Sequence, residues 1–135
     1  MALAELVVAR VFELSPPEAP GGPWRETVLH RFDVSDGGSP EAGVILDAHG
    51  NLYGTTFGGG PRGAGTVFEL APSGLPGGAW IETQLHYFSP TTDGGAYPQG
   101  PLVFGGAGSL LGTDADYGAF FAGTVFEFST HERDG

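Results

Sequence analysis

The sequence predicts an all-β chain built of β-propeller blades, each a sheet of four antiparallel strands, with two repeats in the chain. Three observations predict it. The 135 residues include 25 Gly and 11 Pro yet remain 40% hydrophobic and 12% aromatic. Such a chain can build a core but is cut into short strands and tight turns. No stretch carries a convincing 3.6-residue period. The chain also copies itself: Val11-Phe12-Glu13-Leu14 returns as Val67-Phe68-Glu69-Leu70 and again as Val125-Phe126-Glu127-Phe128, displaced by 56 and then 58 residues.

In chain order, residues 1–10 read as an N-terminal strand or extension, 11–66 as repeat unit 1, 67–124 as repeat unit 2, and 125–135 as a closing strand and tail. Other matches keep the same order. Trp24-Arg25-Glu26-Thr27-Val28-Leu29-His30-Arg31-Phe32 returns as Trp80-Ile81-Glu82-Thr83-Gln84-Leu85-His86-Tyr87-Phe88, and Asp36-Gly37-Gly38 returns as Asp93-Gly94-Gly95. Strands are expected over 42–47, 52–57, 66–70 and 80–88, where β-branched and aromatic residues gather. Residues 48–51 form a tight hairpin, 58–65 a longer loop and 71–78 a Pro/Gly loop, with Gly and Asn supplying positive φ. Four strands per unit is the signature of a propeller blade.

Nine strand-like runs amount to about two blades and one more strand, whereas propellers close with roughly 4 to 8 blades. The expectation is self-assembly into a ring of three or four chains; the competing expectation is a piece of a longer array.

Gly50-Asn51-Leu52-Tyr53-Gly54-Thr55-Thr56-Phe57-Gly58-Gly59-Gly60, followed by Gly65-Thr66-Val67-Phe68-Glu69-Leu70, resembles the Gly-rich tandem repeat often called the GloVer repeat. The resemblance covers the chain from Val11 to Phe128. It implies a propeller-like array in longer secreted or cell-surface bacterial proteins, and no established activity. The second unit is eroded, with Gly105, Ala107, Ser109 and Leu111 standing where Asp47, His49, Asn51 and Tyr53 stood.

Asp47, Gly50, Asn51, Leu52 and Tyr53 also form a string similar to those of calcium-dependent propeller hydrolases of the gluconolactonase and paraoxonase kind. That similarity implies Asp47 and Asn51 as calcium ligands and His49 as a base activating water against a lactone or ester. The plainer reading is an Asx turn. Asp114 and Asp116 alternate to one face of a strand, as further calcium ligands or a catalytic acid, or else as solvated turn residues. His30 and His86 recur with the fold, either as part of its packing or as a symmetric metal site. Trp24 and Trp80 pack between blades or, with Tyr53, form stacking surfaces for a glycan or other small neutral ligand.

Sixteen acids against five bases give a net charge of −11, which disfavours nucleic acid and anionic membrane surfaces. The chain has no Cys, excluding disulfides and thiol chemistry. The stretch from Met1 to Arg10 lacks a basic leader, and no signal peptide is read there. There is no Gly-x-Ser-x-Gly elbow, His-Glu-x-x-His pair or phosphate-binding Gly-x-x-x-x-Gly-Lys. Two function classes remain: a binding or scaffold module, and a calcium-dependent hydrolase of lactonase type.

Overall fold

The computed structural model describes residues 9–91, 95–116 and 122–129. The readings placed on 1–8 and 130–135, on Asp93 and on the Asp116 side chain lie outside the described residues. Within them the chain is all-β, in three antiparallel sheets. β1 (Arg10–Ser15) pairs with β2 (Arg25–Arg31) as a two-stranded sheet. β3 (Ile45–Leu46), β4 (Leu52–Thr56), β5 (Thr66–Ala71) and β6 (Ile81–Tyr87) follow in sequence order as a four-stranded sheet. In the third sheet β9 (Leu110–Asp116) pairs with β10 (Thr124–Phe128) on one edge, and with β7 (Ala96–Pro98) and β8 (Val103–Phe104) on the other.

The full sheet matches the expected four-stranded unit, with its first strand cut to two residues. Gly43 weakens that strand from behind, and from Asp47 onward the chain turns back, its amide donating to the Asn51 carbonyl (3.0 Å). The additional strand, β7, grows from a recurring bridge. Ala96 pairs with Asp116 where, 58 residues earlier, Gly38 pairs with Gly58. Among the described residues all three sheets are open, and they do not close into a propeller; a ring, if formed, needs more than this part of one chain.

The sheets are joined by two cores that are copies of each other. One contains Val11, Phe32, Leu52, Phe68 and Leu70. The other contains Val67, Phe88 and Leu110, with Phe126 and Phe128 packed against it. Each member of the second is the counterpart of one in the first, 56 or 58 residues later. In both, the Val and the Phe that follows it come from one sheet and its trailing residues, and the other three come from the next sheet. The ring pairs repeat as well: Phe32–Phe68 centroids are 5.0 Å apart and Phe88–Phe126 5.2 Å. β5 is therefore covered on both faces, with Val67 turned to the third sheet and Phe68 and Leu70 to the first. No helix among the described residues is long and apolar enough to cross a membrane.

Candidate functional site

Asp47 directly follows β3, and its carboxylate organises the hairpin to β4. Oδ1 accepts from the His49 amide (2.8 Å) and the Asn51 amide (2.9 Å); Oδ2 accepts from Asn51 Nδ2 (2.9 Å) and the Tyr53 hydroxyl (3.1 Å). Gly50 takes the left-handed conformation (φ 87°) that the turn requires. Burial acts to raise the Asp47 pKa, but the bonds from Asn51, His49 and Tyr53 outweigh it and hold the carboxyl below its ordinary value. Tyr53 moves the other way: burial, then the Glu69 and Asp47 charges, push its hydroxyl up to about 12.

This hairpin forms one wall of an open groove of about 410 Å³ between the second and third sheets, lined by Leu46, Asp47, Ala48, His49, Tyr53, Phe104 and Gly108. The Tyr53 and Phe104 rings meet edge to face at 5.7 Å. Three residues singled out in the sequence, Asp47, His49 and Tyr53, thus share one surface, and Asn51 fixes Asp47 from behind. Leu46 and Phe104 carried no sequence signal beyond being apolar; they reach the groove because neighbouring sheets place equivalent hairpins side by side.

The other predicted residues lie elsewhere. Asp114 is buried, accepting from the Thr124 amide (2.9 Å) through Oδ1 and from the Thr124 hydroxyl (2.6 Å) through Oδ2. Trp80 packs against the core between the first two sheets, and Trp24 is 62% exposed beside β2. The His86 ring meets Phe88 edge to face at 4.9 Å and lies tilted against Phe128 at 4.6 Å.

His30, on β2, has a different setting. Its Nε2 lies 3.0 Å from Asp36 Oδ2, in the turn after β2, and Glu82 of β6 completes a half-buried cluster. Among the described residues this is the group of three His or carboxylate side chains whose ligand atoms come within 4.8 Å of one another; Asp47 and Asp114 are not in it. Burial, with repulsion from Asp36 and Asp33, raises the Glu82 pKa against the attraction of His30. Sequence reading singled out His30 and not Asp36 or Glu82, although both recur in the second unit or the first as Asp93 and Glu26.

The family model of the Gloeobacter/Verrucomicrobia repeat matches residues 9–134. No curated protein and no solved structure matches the chain.

Proposed function

The chain belongs to the Gloeobacter/Verrucomicrobia repeat family, and from that premise we propose that it is a propeller-type repeat scaffold whose sheets associate head to tail with those of further copies. One observation carries this. Phe12 and Leu14 are 50% and 52% exposed, whereas their counterparts Phe68 and Leu70 in the middle sheet are fully buried. At the other end Val125 is 75% exposed, and its counterpart Val67 is fully buried. Each end displays the half of the recurring core that the other end lacks. A second copy laid head to tail brings Val125 against Phe12 and Leu14, as Val67 and Phe88 meet Phe126 and Phe128 within the chain. Such heterologous contacts close into rings when the rotation allows; with three sheets in each chain, two chains stacked this way already give six, within the range of a propeller.

In this reading the scaffold offers the groove at Asp47, His49, Tyr53 and Phe104 to a small neutral ligand such as a glycan, with the aromatic rings as floor and the Asp47 hairpin as polar rim. Trp24 supplies a second exposed stacking surface.

Light scattering tests the assembly. The expected species holds two or more chains, and Phe12→Asp or Val125→Asp returns it to a folded monomer. A wild-type chain that is monomeric and folded at tens of micromolar overturns the assembly. A glycan array read with wild type, His49→Ala and Trp24→Ala tests the groove separately: binding lost with His49→Ala and kept with Trp24→Ala supports it, and no binding to any glycan removes the ligand part of the reading.

A further inference from the structure

We propose that His30, Asp36 and Glu82 form a divalent-cation site that fastens the first sheet to the second. The three come from separate places: His30 from β2, Asp36 from the turn after it, and Glu82 from β6. Their ligand atoms nevertheless lie within 4.8 Å of one another, all on half-buried residues. One imidazole nitrogen with two carboxylate oxygens is a donor mix suited to Zn²⁺ or Mn²⁺. An ion bound about 2.1 Å from each donor holds donors no more than about 4.2 Å apart, so binding draws the three donors slightly closer together.

Two further features point to a cation and not to a plain His–Asp pair. Gln84, two residues along β6, donates through Nε2 to the Asp36 carbonyl and to the Glu82 carboxylate, so it orients groups on both sides of the junction. Its Oε1 is buried there without a hydrogen-bond partner. Supporting groups of this kind hold metal ligands in place.

Members of the donor set recur along the chain, although within these 135 residues His86 and Asp93 are followed by no counterpart of Glu82, so the complete set occurs once. Glu26 precedes His30 by the same interval that separates Glu82 from His86, and Asp36-Gly37-Gly38 returns as Asp93-Gly94-Gly95. One unit gives the His and the Asp, and the following sheet gives the Glu. An array of such units would carry one cation at each junction, independently of any ligand in the groove and of whether copies associate.

The test is calorimetric titration of Zn²⁺ into the full chain after removal of metal with EDTA, with Co²⁺ absorption as a second probe. Uptake of one Zn²⁺ per chain with a rise in melting temperature is expected. Glu82→Gln and Asp36→Asn should each weaken uptake on the order of tenfold or more, while Glu41→Gln, at an exposed position, leaves it unchanged. No uptake, or uptake undiminished in both variants, overturns the site. Should those variants fail to fold, imidazole NMR of the wild-type chain decides. A Zn²⁺-dependent shift of the His30 ring supports the site; shifts at His49 or His86 with His30 unmoved overturn it.

Discussion

Asp114 stands where the preceding unit has Thr56, and the two side chains serve the same partner. Thr56 Oγ1 accepts from the Thr66 amide (3.1 Å), lies 2.9 Å from the Thr66 hydroxyl, and donates to the Gly58 carbonyl (2.9 Å). Asp114 accepts from the amide and the hydroxyl of Thr124, the counterpart of Thr66. A carboxylate keeps both accepting roles and gives up only the donation. Asp114→Thr is therefore expected to fold with near wild-type stability, whereas Asp114→Ala, which strands the two half-buried Thr124 donors, costs about 1 kcal/mol; chemical denaturation of the two variants checks this. At Asp47 the prediction concerns pH. Its folded pKa lies below 3.8, so its contribution is complete above 3.8 and is lost as pH falls through the lower folded value. Tyr53 has the opposite sense. Its folded pKa of about 12 exceeds the ordinary 10.0, so its contribution is complete below 10.0 and is lost as pH rises towards 12. Side-chain NMR titrations of both residues read these directions; an Asp47 midpoint above 3.8 contradicts the hairpin bonding. The Asp47 turn was legible in the sequence because every partner lies within six residues. The meeting of His30 with Glu82 was not, because only the stacking of β6 on the first sheet brings them together.

Within single elements, glycine and phenylalanine act as a pair. Gly54 lies directly across from Phe68, and Gly112 across from Phe126. The ring lies over the bare backbone: a Cβ on Gly54 would sit 2.6 Å from Phe68 Cζ, and one on Gly112 would collide with the Phe126 ring in the same way. Gly54→Ala and Gly112→Ala should each destabilise by about 1–3 kcal/mol, and combining Gly54→Ala with Phe68→Leu should cost less than the two added separately. Denaturant melts of these four variants and the wild type give the answer. The pairing register also slips once in each of two equivalent strands, between Val11 and Phe12 and between Val67 and Phe68. Strand positions followed from runs of β-branched and aromatic residues between turn residues, and most agree with the structure. The short β3 and the added β7 did not follow, because an isolated bridge and a strand differ only in whether neighbouring pairs also form.

At the scale of the whole molecule, neither core belongs to one sheet. Val11 and Phe32 need Leu52, Phe68 and Leu70, just as Val67 and Phe88 need Leu110, Phe126 and Phe128. Stability in such arrays is a sum over units and their neighbour contacts, so covering the exposed Phe12, Leu14 and Val125 by another copy should add to it. The melting temperature is then expected to rise with protein concentration in the wild type and to become independent of it in Val125→Asp, as mass action requires; scanning calorimetry over a range of concentrations measures this. By itself the sequence determined the all-β class, the repeat period, the turns and the Asp47 hairpin, because these depend on residue type and on bonds between near neighbours. Only the tertiary structure decided which sheet covers which face, that the sheets among the described residues remain open, that Asp114 serves Thr124, and that Glu82 meets His30 and Asp36. Those facts depend on how one sheet lies against the next, a relation between residues far apart in the chain that no local pattern encodes.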